Sequence, residues 1–170
     1  MPDLKQENDF VRTTLLSWIK NLVSTYKIDG IRIDTIPEVP KWFWKQFSDS
    51  SGVFQVGEVF DGRLDYVSDY QNCCIDSVLN YPLYFTLKDV FMNGGSLREM
   101  EHSLANISKY FHDPSILGVF VDNHDNSRFL YSNGNVKRFR NAVAFSLLTS
   151  KIFINISNSL RWHSYCLLRN

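Results

Sequence analysis

Four short apolar runs alternate with stretches of helical periodicity, and three of them end on a polar cluster that holds a carboxylate. The runs are Ile31-Arg32-Ile33, Val53-Phe54-Gln55-Val56, residues 77–79 and residues 116–121. Each is too short for a helix and apolar enough to be buried on both faces. That pattern predicts strands of a parallel sheet linked through crossover helices, an α/β architecture. The intervening periodicity agrees. Residues 9–26 place Phe10, Thr13, Leu15, Leu16, Ile19, Leu22 and Val23 on one helical face, after a polar lead-in and before the stop Lys27-Ile28-Asp29-Gly30. Further helices are expected over 38–47, after a loop within 62–71, between 83 and 110, and over 136–148, with Ser48-Asp49-Ser50-Ser51-Gly52 as a turn.

Composition narrows the classes. A 44% hydrophobic and 15% aromatic content over 170 residues supports a sizeable core and excludes wholesale disorder. Zero net charge argues against a charge-driven nucleic-acid or anionic-membrane partner. No apolar stretch reaches membrane-spanning length, and Met1-Pro2-Asp3-Leu4-Lys5-Gln6 does not read as a signal peptide. The charge is uneven. All 18 acidic residues lie at or before Asp125, while the last 45 residues hold seven basic residues and no acid. Cys73, Cys74 and Cys166 show neither metal-ligand spacing nor a disulfide framework, and read as free or partly buried thiols.

The chemistry sits at the strand ends. Asp34 follows the first run, Glu58 the second, and Asp122, His124 and Asp125 the fourth. In parallel α/β folds, ligands gather at the carboxyl ends of strands, where loops vary over a rigid scaffold. Taken singly, each acid has a bland reading as a helix cap or a binder of loop amides. Arg32 reads as an ion-pair partner and His124 as a hydrogen-bonded loop histidine. The Asp122, His124, Asp125 trio is too compact in sequence to specify a metal geometry. Three acids delivered to one rim make the stronger signal.

Three of these stretches resemble motifs of the α-amylase family of glycoside hydrolases, in its fungal type. They are Asp29-Gly30-Ile31-Arg32-Ile33-Asp34, then Gly57-Glu58-Val59, then Phe120-Val121-Asp122-Asn123-His124-Asp125-Asn126. Tyr70-Gln71-Asn72 and Leu79-Asn80-Tyr81-Pro82 are similar to the same family, and the likeness spans residues 2–150. The resemblance implies part of a (β/α)8 TIM barrel, strands four to seven with their helices, and retaining endo-hydrolysis of α-1,4-glucosidic bonds in starch or glycogen. By it Asp34 would be the nucleophile, Glu58 the acid/base and Asp125 the third carboxylate, with Arg32 and His124 at the substrate. Retention needs carboxyls about 5–5.5 Å apart, which leaves no room for an intervening water. Arg32, two residues before Asp34 and on the same strand face, would keep the nucleophile ionised. Trp42, Trp44, Phe60 and Tyr81 are candidates to stack on glucose rings, with core packing the commoner fate of such residues.

The resemblance also implies secretion and a bound calcium ion, for which the backbone carbonyl of Glu38 is a candidate ligand and most other ligands lie outside this chain. Pro37 and Glu38 stand where a Lys-His pair is common in the fungal type. Residues 151–170 match nothing expected of the eighth strand, although Ile152 to Ile156 could supply an apolar strand, so 1–150 is read as a partial barrel domain and 151–170 as a divergent tail. Open sheet edges of such a partial barrel would favour self-association. A catalytically inactive, at most sugar-binding chain is the rival reading, and a non-catalytic structural or transporter-associated relative a more distant one. α-Glucosidase and transglycosylase activity are not separated from α-amylase activity by these motifs.

Overall fold

In the computed structural model, residues 3–149, 152–155 and 165–168 are described, with side chains described for 3–149 only. The first helix, α1 (Asp9–Tyr26), begins where Asn8 turns its side chain to accept from the N–H groups of Phe10 and Val11, at 3.0 and 3.2 Å. It ends at Lys27 in a left-handed conformation. A short strand β1 (Gly30–Ile33) and a 3-10 turn (Ile36–Glu38) then lead to α2 (Lys41–Ser51) and β2 (Phe54–Gly57). Next come α3 (Leu64–Cys73), β3 (Ser77–Val78), α4 (Tyr81–Leu87), a π-helical turn (Lys88–Met92) and α5 (Leu97–Tyr110). A 3-10 turn (Pro114–Ile116) precedes β4 (Gly118–Val119), followed by α6 (Phe129–Ser132), α7 (Val136–Thr149), β5 (Ile152–Asn155) and β6 (Tyr165–Leu168).

The expected parallel sheet is present. β1 pairs with β2, and β2 with β3, all parallel, in register Ile33↔Gly57 and Gly57↔Val78. A bridge between Leu79 and Gly118, with the Asn80 N–H donating to the Gly118 carbonyl at 2.8 Å, carries the order on to β4. β4 pairs with β5 in parallel, and β6 is antiparallel to β5. Ile152, expected to open an apolar strand, lies opposite Gly118.

Side chains alternate between two faces of this sheet. On β2, Gln55 faces α2, where its amide donates to the Ser51 hydroxyl at 2.6 Å. Phe54 and Val56 face an inner cluster with Leu79, Tyr81, Tyr84 and Phe120. The helix-side cluster is larger and gathers Ile19, Ile33, Phe43, Phe47, Val67, Val78, Ile107 and Val119 under α1, α2, α3 and α5. Helices on one side and an aromatic interior on the other leave the carboxyl ends of β1, β2 and β4 facing a common rim.

Several boundaries differ from expectation. α2 runs on through Ser48, Asp49 and Ser50 to Ser51, and Gly52 at φ 66° ends it. Serine and aspartate favour turns in isolation, but the buried aromatic stripe Phe43, Trp44, Phe47 and the left-handed cap hold the last turn helical. The fourth strand shrinks from 116–121 to Gly118–Val119, because Pro114–Ile116 is a 3-10 turn. Trp44 and Tyr81 are core residues, 6% and 0% exposed, and are not free to stack on a ligand, whereas Trp42 and Phe60 are exposed. Cys73 and Cys74 are joined as a disulfide rather than carrying free thiols. They meet where α3 ends and Cys74 leaves helical geometry, at φ −136°. Residue 156, expected in the last strand, falls outside the described residues.

Gly57 is the tightest point of the sheet. A Cβ built there would overlap Ile75 and would lie 2.7 Å from the Ile36 Cδ1. Gly57→Ala should therefore lower stability by about 1–3 kcal/mol through overpacking. Urea unfolding of the two proteins measures this, and equal midpoints would mean that the two isoleucines yield freely.

Candidate active site

The register of β1 on β2 brings the first two acids together. Ile33 lies opposite Gly57, so Asp34 and Glu58 are the next residues on neighbouring parallel strands. Backbone hydrogen bonding continues past both strands. The Glu58 N–H donates to the Ile33 carbonyl at 2.9 Å, and the Ile36 N–H to the Glu58 carbonyl at 3.1 Å. The Trp44 indole N–H donates to the Ile36 carbonyl at 2.8 Å and pins the turn from the helix side. Between them Thr35 is held at φ 48°, a costly conformation for a β-branched residue. Its N–H is thereby aimed at the Glu58 Oε2, 3.2 Å away.

Arg32 lies opposite Val56 and on the same face as Asp34. Its guanidinium forms a direct ion pair with Asp34 and reaches the Glu58 Oε1 at 3.3 Å. The two carboxyls are close enough to act on each other through a hydrogen bond. Their surroundings differ sharply. The Asp34 side chain is 68% exposed, the Glu58 side chain 9%. The hydrogen bond from Arg32 holds Asp34 below the ordinary aspartate value, against a smaller opposing effect of burial. Burial pushes Glu58 above the ordinary glutamate value, opposed by the charge of Arg32 and the Thr35 N–H, with Asp34 adding to the rise. At neutral pH the pair thus favours an ionised Asp34 beside a Glu58 that holds its proton more readily.

Asp125 and His124 sit on the loop after β4, with the His124 Nε2 3.5 Å from the Asp125 Oδ2 and both side chains about half exposed. Asp125 acts electrostatically on Tyr81, whose hydroxyl donates to the Glu58 Oε1 at 3.1 Å. Burial first, then the charge of Glu58, raises the Tyr81 phenol above its ordinary value, so it remains a proton donor. The loop is anchored below by Asp122, whose Oδ2 accepts from the Phe129 N–H at 3.3 Å and which lies 3.7 Å from Arg128.

The sequence reading thus placed Arg32, Asp34, Glu58, His124 and Asp125 on one rim, and the structure brings the first three into direct contact. It missed Thr35 as a partner of Glu58 and Asn123 and Asn126 behind Tyr81, and read Tyr81 as a core or stacking aromatic rather than as a hydrogen-bond partner of Glu58. The motif 120–126 contains both asparagines, but nothing in their spacing says which groups they meet. Glu38 closes the 3-10 turn, its N–H donating to the Thr35 carbonyl at 3.2 Å. Among the described residues no group of three or more His, Cys, Asp or Glu is placed to hold a metal ion.

A cavity of about 320 Å³ opens beside Glu58, lined by Thr35, Glu38, Phe60, Arg63 and Tyr66 among others. A second concavity of about 410 Å³ lies at the amino ends of the strands, near Phe54, Ile75 and Ile116, and holds none of the three acids. Position relative to the carboxyl ends, not size, selects the first as the functional one.

Similarity to known proteins points the same way. Residues 1–155 match the alpha-amylase catalytic-domain family. The chain is 37% identical over 151 residues to alpha-amylase 1 of Lipomyces kononenkoae, covering 88% of this chain and 24% of that protein. It is 40% identical over 149 residues to an alpha-amylase of Saccharomycopsis fibuligera, covering 87% of this chain and 30% of that protein. The fold superposes on an alpha-amylase from Malbranchea cinnamomea with a TM-score of 0.82 and 38% identity, over 86% of this chain and 31% of that one. The chain thus spans under a third of the length of these relatives.

The two opposite shifts make the stability of the pair depend on pH in opposite senses. Because folding raises the Glu58 value, its contribution is full below the unfolded glutamate value and is lost as pH rises through the folded one. Asp34, with its value lowered, behaves oppositely and loses its contribution as pH falls. Glu58→Gln should therefore gain thermal stability relative to the wild type as pH is raised from the ordinary glutamate range toward neutrality. Melting curves at a series of pH values read this difference, and a gap that stays constant across the series would sink it.

Proposed function

The chain belongs to the alpha-amylase catalytic-domain family, and on that premise we propose that its rim of acids performs retaining hydrolysis of α-1,4-glucosidic bonds in starch or glycogen. The observation that carries this reading is that neighbouring strands place two carboxyls on one guanidinium, Asp34 exposed and Glu58 buried, which displaces Asp34 downward and Glu58 upward. Two acids whose surroundings push them apart are suited to different halves of one reaction.

In the first half the ionised Asp34 attacks the anomeric carbon while Glu58 passes its proton to the departing glycosidic oxygen, leaving a glycosyl ester on Asp34. In the second, Glu58, now ionised, takes a proton from water. The hydroxide attacks the same carbon and releases Asp34 with net retention. Arg32 keeps Asp34 anionic before attack and as it departs. Asp125, with His124, would hold sugar hydroxyls and favour the distorted ring of the transition state. The cavity beside Glu58 offers an exposed aromatic, Phe60, and the Arg63 guanidinium to the sugar on the leaving-group side.

Secretion belongs to this reading by family resemblance. Among the described residues no helix is long and apolar enough to cross a membrane. The same rim would serve an α-glucosidase or a transglycosylase, since the loops that set chain-length preference lie largely elsewhere in proteins of this length class.

Reducing-sugar release from soluble starch by the folded chain, beside Glu58→Gln and Asp34→Asn, tests the proposal. Sugar should appear with the wild type and fall by about a thousandfold or more with either substitution. Binding of maltooligosaccharide without release would favour the sugar-binding reading, which the chain's short span relative to its relatives keeps in view.

A further inference from the structure

Beside the acids runs a chain of side-chain hydrogen bonds with only one self-consistent direction. Asn126 donates twice to a single acceptor, the Asn123 Oδ1, through its backbone N–H at 3.1 Å and its side-chain amide at 2.8 Å. An oxygen that receives two donors fixes which end of the Asn123 amide is which. The Asn123 NH2 must then face the other way, where the Tyr81 hydroxyl lies 2.8 Å off. Tyr81 therefore accepts from Asn123, and its one proton remains for the Glu58 Oε1, 3.1 Å away. Asn123 and Tyr81 are 2% and 0% exposed, so water does not compete for either.

We propose that Tyr81, backed by Asn123 and Asn126, is the positioning residue that keeps the Glu58 proton off Oε1 and on Oε2, and so governs where and how readily that acid gives its proton up. The inference rests on the acid/base role given to Glu58 above. Oε1 receives the Tyr81 hydroxyl and lies 3.3 Å from the Arg32 guanidinium, while Oε2 receives the Thr35 N–H. A proton on Oε1 would have to share that oxygen with the Tyr81 proton and stand beside a positive charge. Because the Tyr81 proton strengthens its bond when Glu58 is ionised, it opposes the upward push of burial on that group.

The charged and titratable groups facing Glu58 come from several elements. Arg32 and Asp34 approach from β1 and its end, Tyr81 from α4, and Asp125 from the loop after β4 by way of Tyr81. Glu38, Asp61 and Arg63 lie across the adjoining cavity. Of these, only Tyr81 is a neutral donor whose direction is set from behind.

A purely structural role makes a different forecast. The Tyr81 ring packs on Phe60 and Phe120, with centroids at 4.7 and 5.0 Å, and Tyr81→Phe keeps those contacts. The test is a carboxyl titration by NMR of the full chain with labelled glutamate, the Glu58 signal assigned by its loss in Glu58→Gln. Tyr81→Phe should raise the apparent Glu58 midpoint by about one pH unit, the worth of one hydrogen bond to an ionised group. Asn126→Ala, which removes the side-chain half of the hold on the Asn123 oxygen and leaves the backbone N–H in place, should raise it in the same direction by less. An unmoved or lowered midpoint overturns the inference; if Tyr81→Phe does not fold, Asn126→Ala decides alone. No substrate enters this measurement. Raised midpoints together with no starch hydrolysis would therefore leave the relay standing and remove the reaction assigned above, whereas unmoved midpoints in an active protein would do the reverse.

Discussion

Every other feature of the site depends on the parallel register of β1 against β2. The hydrogen bonds that continue it, from the Glu58 N–H to the Ile33 carbonyl and from the Ile36 N–H to the Glu58 carbonyl, hold Glu58 directly and bracket Asp34. A slip of one residue would turn one of them to the helix side of the sheet. The register is defended from both sides. Gly57 admits Ile36 and Ile75 so closely that an added Cβ would have to displace them, and Trp44 holds the Ile36 carbonyl from a buried position. Thr35 absorbs the resulting backbone strain at φ 48°, and the same distortion turns its N–H toward Glu58. Strain, close packing and a catalytic-type contact are therefore one local arrangement seen from three directions.

One guanidinium then serves two carboxyls of very different burial. Removing a carboxylate from water costs several kcal/mol, while a hydrogen bond to an ionised partner returns about 1.5–3 kcal/mol. At Asp34, well exposed, the first quantity is small and the contact with Arg32 wins. At Glu58, almost wholly covered, burial outweighs an Arg32 that is shared and partly solvated. The asymmetry needs no second cation. It follows from placing two carboxyls on successive strands, one exposed at the rim and one buried beside it.

Much of this was legible in the sequence. Helix α1 has the ends that its periodicity and its polar lead-in predict, because an amphipathic stripe and an Asn cap act locally. The strand-end positions of Asp34, Glu58 and Asp125 were equally plain, since short apolar runs punctuated by acids admit few other folds. What the sequence concealed depended on contacts distant along the chain. The extension of α2 through three turn-forming residues is decided by aromatics packing on the sheet. The burial of Tyr81, which moved it from candidate sugar platform to partner of Glu58, comes from Tyr84 and Phe120 around it. The Cys73–Cys74 pairing and the left-handed Thr35 have no periodic signature at all, because each is a single local conformation chosen by the surrounding fold.

The three acids are not held equally, and the difference bears on how such a rim works. Asp34 and Glu58 extend a sheet ladder, so their spacing can change only if the sheet changes. Asp125 and His124 instead ride a loop fastened by side chains alone: Asn123 and Asn126 toward Tyr81, and Asp122 toward the start of α6. Both of its charged residues are about half exposed. Asp34 and Glu58 are thus built on the sheet and Asp125 on a more exposed loop. That division suits chemistry in which the attacking and protonating groups must stay fixed while the sugar ring between them flattens. The fastening of the loop and the hydrogen bond to Glu58 share the same two residues, Asn123 and Tyr81, so the adaptable acid and the fixed pair are joined through the Tyr81 hydroxyl.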